Sequence, residues 1–137
     1  MHATAHTLVV RRESLGETLE IHLMCREKGG VLIAQVSWGS LTQLAFGHRA
    51  ICQLLTLDGC GASLLAERLG WRCGFRAGVG EFFSQGDAGL SDLLDVCNAA
   101  GIPCRFCVVG SDGGALSGGV GERYGVDAGA GAFSFVP

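Results

Sequence analysis

Residues 41–57 (LTQLAFGHRAICQLLTL) restrict the fold more than any other stretch of the sequence. At the helical period, one stripe of this stretch is almost wholly apolar and comprises Leu41, Leu44, Ala45, His48, Ile51, Cys52 and Leu55. A second apolar stripe on the opposite side comprises Phe46, Ala50, Leu54 and Leu57. A helix that is apolar on both sides is normally buried on both sides. The stretch therefore predicts a buried central helix, with a sheet against one face and another helix or a partner subunit against the other.

The N-terminal part alternates between apolar and polar residues and predicts an antiparallel β-meander. Residues 18–26 and 31–38 both alternate as strands do. Gly29 and Gly30 lie between them and can adopt the positive φ angles that a tight hairpin turn requires. Residues 7–12 predict a further strand before this hairpin.

The middle of the chain predicts two more helices. Residues 58–61 (DGCG) are expected to end the central helix, and residues 63–69 to form a short second helix. Residues 87–100 predict a second long helix that Asp87 can cap. Residues 71–86 fit no single element, because glycines interrupt every period.

The last part of the chain predicts two strands joined by a glycine-rich loop. Residues 103–109 and 132–136 have the apolar pattern of strands. Residues 110–131 contain nine glycines and almost no apolar period. The prediction is one α/β (α+β) domain over residues 1–137, with an N-terminal antiparallel meander, a buried central helix, a second long helix and two C-terminal strands around the loop 110–131.

Composition excludes several classes of function. The chain has 137 residues, is 48% hydrophobic and carries a formal net charge of −3. Its basic residues are scattered arginines and a single lysine, so no basic patch predicts direct nucleic-acid binding. No apolar run approaches the roughly 20 residues that cross a bilayer, so no membrane association is expected.

The seven cysteines indicate a compartment rather than a disulfide framework. The count is odd, and the N-terminus lacks the charged and apolar regions of a secretion signal. Reduced thiols in the cytoplasm are therefore expected. The bias towards arginine, alanine and glycine is typical of a GC-rich bacterial, phage or plasmid genome.

One candidate catalytic set consists of Cys60, His48 and Asp58. Cys60 lies between two glycines and just before a predicted helix, whose N-terminus can stabilise a nucleophilic thiolate. His48 and Asp58 are the nearest residues that complete a Cys-His-Asp arrangement. The alternative is an interhelical turn with a small buried cysteine, and a histidine enclosed in the core.

Metal and cofactor motifs are incomplete, and neither a metal ion nor a cofactor is expected. Cys104 and Cys107 match C-x-x-C, but they lie in a predicted strand where residues three apart face opposite sides. No second pair of ligands accompanies them. His2, His6, His22 and His48 are not expected to cluster, and residues 110–114 lack the following helix of a phosphate-binding loop.

Five apolar residues are candidates for an interaction surface, and they are Phe46, Leu54, Trp71, Phe82 and Phe83. Exposed aromatic residues mark interfaces more often than other surface residues do. The alternative for each of the five is a place in the core.

Two functions of different classes follow from these patterns. The first is a non-enzymatic interaction module, a small regulator or inhibitor that docks on a larger protein partner or forms a homodimer. The second is a thiol-dependent enzyme that uses Cys60 as its nucleophile.

Overall fold

A computed structural model describes residues 5–110 and, beyond them, the backbone of three further strands. The strands of the described chain are β1 (Ala5–Ser14), β2 (Glu17–Cys25), β3 (Val31–Gly39), β4 (Ala50–Leu57), β5 (Arg105–Gly110), β6 (Ala115–Gly118), β7 (Arg123–Asp127) and β8 (Ala132–Val136). Its helices are α1 (Ser40–Phe46), α2 (Gly59–Leu69), α3 (Phe75–Phe83) and α4 (Leu90–Ala100). The chain therefore has the predicted α+β architecture.

The first six strands form one antiparallel sheet in chain order, and β7 pairs with β8 separately. The meander of β1, β2 and β3 was predicted from sequence and is confirmed. All three helices from α2 to α4 lie between β4 and β5 in the chain, yet these two strands are neighbours in the sheet. The chain therefore leaves the sheet after β4, forms the three helices, and re-enters the sheet beside β4 as β5.

The predicted central helix over residues 41–57 is wrong, because the stretch divides into a helix and a strand. Helix α1 ends at Phe46, and Gly47 takes the left-handed conformation with a φ of 75°. Strand β4 then runs from Ala50 to Leu57. A short, continuously apolar segment fits a strand buried on both faces as well as it fits a helix, and periodicity alone does not separate the two.

One face of the sheet, here called the helix face, carries the larger core. Ile21, Ile33 and Leu55 lie on it and are 0% exposed. Helices α2, α3 and α4 pack against this face through Leu65, Val79, Phe83, Leu90, Leu93 and Cys97. The apolar stripes of the three helices are thereby removed from water, which is the main favourable contribution to folding.

The opposite face of the sheet, here called the far face, carries a second buried cluster. Its members are Leu32, Ala34, Val36, Cys52, Leu54 and Val109, all at most 3% exposed. Leu54 and Leu55 thus lie on different faces and are both buried. The sequence-based expectation of enclosure on two sides therefore holds for residues 50–57, although they form a strand. It is wrong for residues 41–46, of which Thr42 alone is buried.

Helix α4 confirms the predicted second long helix but is anchored differently from the expectation. It begins at Leu90 rather than Asp87, and Asp87 does not cap it. The backbone N–H of Gly89 donates to Asp92 Oδ2 at 2.8 Å, and that of Leu90 donates to Gln35 Oε1 at 2.8 Å. Gln35 belongs to β3, so a buried amide fastens the helix to the sheet.

Helices α2 and α3 differ from the sequence pattern in extent. Helix α2 includes most of the stretch 58–61 that was expected to be a turn, because Asp58 caps it and Gly59 is its first residue. Helix α3 occupies the part of residues 71–86 that fitted no element. Gly78 permits this helix, since a Cβ atom there would overlap the indole ring of Trp71.

The C-terminal strands agree in part with the sequence. Strands β5 and β8 confirm the two predicted strands. The predicted loop 110–131 contains strands β6 and β7, because backbone pairing does not require large side chains. The rest of that segment lies outside the described residues, and the single-domain assignment stays a prediction.

No helix in the described part of the chain combines the length and apolarity that crossing a bilayer requires.

The bond between Gln35 and α4 predicts a specific loss of stability. Gln35→Ala leaves the buried Leu90 N–H without its acceptor, so the free energy of unfolding should fall by about 1–3 kcal/mol. Urea denaturation followed by circular dichroism measures the change. Gln53→Ala is the matched control, because Gln53 pairs directly with Gln35 on the same face but receives no such bond. Equal losses in the two variants would contradict this role.

Candidate functional site

Helix α1 is held at one end of the sheet by a single carboxylate. Glu17 of β2 accepts hydrogen bonds from the backbone N–H groups of Leu41 at 2.9 Å and Thr42 at 3.0 Å. It also accepts a bond from the Thr42 hydroxyl. The N-cap residue Gly39 has no side chain that could accept a hydrogen bond, so Glu17 supplies the acceptor that the first turn needs. These three hydrogen bonds fix a helix of seven residues that is too short to be stable alone.

Helix α1 exposes nearly all of its residues, and its large apolar side chains are among them. Its one buried residue is Thr42, which is 5% exposed. Leu41, Leu44 and Phe46 are 57%, 85% and 47% exposed. A surface helix normally turns its apolar residues to the core and its polar residues to solvent. Here the hydroxyl side chain is inside because it bonds to Glu17, and the large apolar side chains face solvent.

A fourth exposed leucine lies at the same end of the sheet. Leu15 forms the β1–β2 turn with Gly16, has a φ of 53° and is 92% exposed. The turn touches the start of α1, since a Cβ atom on Gly39 would meet the Gly16 carbonyl oxygen at 2.5 Å. Leu15, Leu41, Leu44 and Phe46 are here called the end patch. Scattered exposed leucines are ordinary, whereas several at one end of a sheet are typical of an interaction site.

The five interaction residues predicted from sequence do not form one surface. Phe46 belongs to the end patch, but Leu54 and Phe83 are enclosed in the two cores at 1% and 0% exposure. Trp71 and Phe82 are half-buried against the helix-face core. The ring of Trp71 packs edge-on against Phe75, with centroids 5.0 Å apart.

Sequence reasoning missed the three leucines of the end patch. It placed Leu41 and Leu44 on a buried stripe because it continued the helix through Gly47. The available signal was the pair of glycines at 39 and 47, which bracket seven residues and limit any helix between them. The position of Leu15 between Ser14 and Gly16, two residue types common in turns, was a second signal.

The structure does not bring His48 to Cys60. Asp58 caps α2 by accepting the N–H of Gly61 at 2.7 Å, and Cys60 is exposed in the first turn. His48 precedes β4, whereas Asp58 follows it, so the length of this strand, roughly 25 Å, separates them. The imidazole of His48 lies instead against Gly110, where a Cβ atom would meet it at 2.7 Å.

The cysteines of the C-x-x-C motif face opposite sides of the sheet. Cys104 packs against the helix-face core and Cys107 against the far-face core. Burial, together with the neighbouring Cys104, raises the pKa of Cys97 to about 11. Burial, and secondly Cys107, raises the pKa of Cys52 far above its ordinary value. Buried thiols of this kind react slowly as nucleophiles.

Two histidines expected to lie apart are in contact. His6 Nε2 and His22 Nδ1 are 2.9 Å apart. The expectation was wrong because β1 begins at Ala5, which brings His6 into the sheet beside β2. His22 Nε2 in turn lies 2.9 Å from Glu20 Oε1, and Arg11 Nη1 donates to Glu20 Oε2 at 2.9 Å. The four side chains form one hydrogen-bonded row. His48 is not part of it and lies against Gly110.

An open cleft of about 490 Å³ lies at the end of the sheet where α2 begins. Its charged lining residues are Arg26, Glu27, Asp58 and Arg105. Both signs of charge are equally represented, and Asp58 already accepts a backbone hydrogen bond. The lining thiol, Cys104, has a pKa raised by burial. These features do not single out one ligand class.

Alkylation rates test whether Cys60 is an activated nucleophile. Cys60 and Cys73 are both exposed, and His48 does not reach Cys60, so iodoacetamide should modify them within about threefold of each other at pH 8. Cys97 should react at least about 100-fold more slowly, because a pKa of about 11 leaves little thiolate. Peptide mass spectrometry over a time course gives the three rates. A rate for Cys60 tenfold above that for Cys73 would favour the thiol enzyme.

Comparison with known proteins identified no relative of this chain. The chain matched no protein-family model, no curated protein and no solved structure. Its function therefore has to be inferred from its own contacts, burial and charges.

Proposed function

We propose that the chain is a non-enzymatic protein-interaction module, a small regulator or inhibitor that docks through the end patch. The first candidate partner is a second copy of the chain, which would make the protein a homodimer, and the alternative partner is a larger protein. The observation that carries the proposal is the exposure of the large apolar side chains of α1, of which Leu44 is 85% exposed, while Thr42 is buried.

The fixed attachment of α1 supports a docking role, because a mobile surface helix would expose apolar side chains without any function. Three hydrogen bonds to Glu17 fix its first turn, and the left-handed Gly47 closes its last turn by donating to the Gln43 carbonyl at 2.8 Å. A preorganised apolar side chain loses little further entropy when a partner covers it. The exposed leucines of α1 therefore have fixed positions, as the residues at the centre of an interface commonly do.

Polar residues beside the end patch support the same reading. Ser40 and Gln43 are exposed and lie next to Leu41 and Leu44 in the chain, and Arg49 is exposed three residues after Phe46. Interfaces commonly have an apolar centre with a polar, solvent-accessible rim. The end patch and these three residues have that composition.

A cytoplasmic location, in a bacterial or phage setting, forms part of the proposal. All seven cysteines are free thiols, and Cys25, Cys60 and Cys73 are exposed. Exposed free thiols are typical of proteins in a reducing compartment.

A thiol-dependent enzyme that uses Cys60 is the second candidate. Its support is the exposure of Cys60 in the first turn of an eleven-residue helix capped by Asp58. His48 does not assist it, which leaves the nucleophile without the base that the sequence suggested. The alkylation rates above distinguish this candidate from the interaction module.

Leu44→Glu tests the end patch directly. A charge in place of the exposed Leu44 should raise the dissociation constant of the dimer at least about 30-fold, which is the effect of losing about 2 kcal/mol. Multi-angle light scattering across a concentration series should give twice the chain mass of 14.2 kDa for the wild type, and the monomer mass for the variant. Leu64→Glu is the control, because Leu64 is 42% exposed on α2, outside the patch.

The control also defines the outcome for a larger partner. If the wild type is monomeric at millimolar concentration, self-association is excluded. In a pull-down, a larger protein partner must then bind to the wild type and to Leu64→Glu but not to Leu44→Glu. Failure of both experiments would refute the interaction module.

Glu17→Ala tests whether the anchored helix presents the patch. Removal of the carboxylate leaves the first turn of α1 without its acceptors, so amide exchange at residues 41–46 should accelerate at least about tenfold. Binding should weaken in parallel, while the β2–β3 amides stay protected. Glu13→Ala on β1 is the control, since Glu13 contacts Arg11 and not α1. Unchanged exchange in Glu17→Ala would show that the helix is held by other contacts.

A further inference from the structure

The row of side chains on β1 and β2 has the chemistry of a metal site. Its order is Arg11, Glu20, His22 and His6, with one hydrogen bond between each neighbouring pair. Glu20 is 8% exposed, whereas His6 is exposed and the side chain of His22 is 18% exposed. The row therefore leads from a buried carboxylate to two imidazoles that solvent ions can reach.

We propose that His6 and His22 bind a divalent transition-metal ion of the borderline class, Zn²⁺, Ni²⁺ or Cu²⁺. Imidazole nitrogen is a preferred ligand of all three ions. Two nitrogens bound at about 2.0–2.1 Å to one ion lie about 2.9–3.4 Å apart for angles between 90° and 110°. The 2.9 Å between His6 Nε2 and His22 Nδ1 is at the lower end of that range.

Glu20 sets the tautomer that His22 needs. A carboxylate accepts hydrogen bonds, so His22 carries its proton on Nε2 and donates it to Glu20 Oε1. Its Nδ1 then presents a lone pair towards His6. Metal-binding histidines commonly donate their other N–H to a carboxylate in this way. Glu20 is thus a positioning residue that touches the ligand and not the ion.

Metal binding requires one rearrangement of protons at His6. In the hydrogen-bonded row, His6 Nε2 donates its proton to His22 Nδ1. For metal binding, the His6 proton moves to Nδ1 through solvent, and both rings tilt so that the lone pairs of His6 Nε2 and His22 Nδ1 converge on the ion. Burial, and secondly His22, lowers the pKa of His6.

A β-bulge places His6 on the same face as His22. The register between β1 and β2 shifts between Leu8 and Val10, so that Leu8 pairs with His22 and His6 pairs with Met24. Without this shift, Val9 would pair with His22, and His6 would point to the helix face. Bulges often redirect a side chain at a functional site. The extra residue Val9 thus creates the pair of imidazoles.

The charges around the pair allow a cation to bind. Arg11 belongs to the same row, but its charge is directed elsewhere, since it contacts the other oxygen of Glu20 and lies 5.7 Å from the centre of the Trp38 ring. No group of three or more histidine, cysteine or acidic side chains in the described part of the chain is placed to hold a metal ion. The remaining ligands would therefore be water, and Cu²⁺ should bind most tightly.

Titration of the full-length, metal-free chain with Ni²⁺ and Zn²⁺ tests the site. Calorimetry should show one ion per chain, and NMR should show changes at the ring protons of His6 and His22. His6→Ala and His22→Ala should each weaken binding at least about 100-fold. Glu20→Gln should weaken it about 10–100-fold while both rings still respond, which is the signature of a positioning residue.

Two controls make the result decisive. His48→Ala should bind as the wild type does, and His2→Ala tests whether the chain terminus is the binding site. Because His6 is exposed, a proton–nitrogen spectrum of His6→Ala should show a folded protein. No binding by the wild type at millimolar metal, or binding that His6→Ala leaves unchanged, would overturn the proposal.

Discussion

The structure depends on the burial of β4 on both faces. Leu55 is enclosed on the helix face and Leu54 on the far face, with at most 1% exposure for either. A strand without a polar face cannot lie at the edge of a sheet, so β3 and β5 pair with it on its two sides. The three helices between β4 and β5 supply the cover for one face. The order of elements in the chain follows from this requirement.

Two polar side chains inside this arrangement fasten helices to strands. Gln35 on the helix face holds the start of α4, and Glu17 at the end of the sheet holds the start of α1. In both cases a side chain from a strand accepts hydrogen bonds from backbone N–H groups at the start of a helix, which have no partner within the helix. The bonds to Glu17 have a consequence for the surface, because burial of Thr42 turns Leu44, on the opposite side of α1, towards solvent. The end patch is thus a product of how the helix is attached.

The row from Arg11 to His6 illustrates how one inserted residue changes the chemistry of a strand. Strand pairing alternates faces with a period of two, so an extra residue at Val9 moves His6 to the opposite face. The carboxylate of Glu20 has its two oxygens bonded to different partners, which fixes the orientation of His22. The end patch and the imidazole pair are formed by different residues.

Residue pattern alone was enough to predict the α+β class, the N-terminal meander, the helix near residues 87–100 and the strands at both ends of the glycine-rich segment. Local alternation and helix-ending glycines carry that information. It also predicted enclosure of residues 41–57 on two sides, which holds for residues 50–57 and fails for residues 41–46. Tertiary packing makes residues 50–57 a strand, places His48 and Cys60 at its opposite ends, and brings His6 to His22. These outcomes depend on strand register and on partners distant in the chain, which local periodicity does not contain.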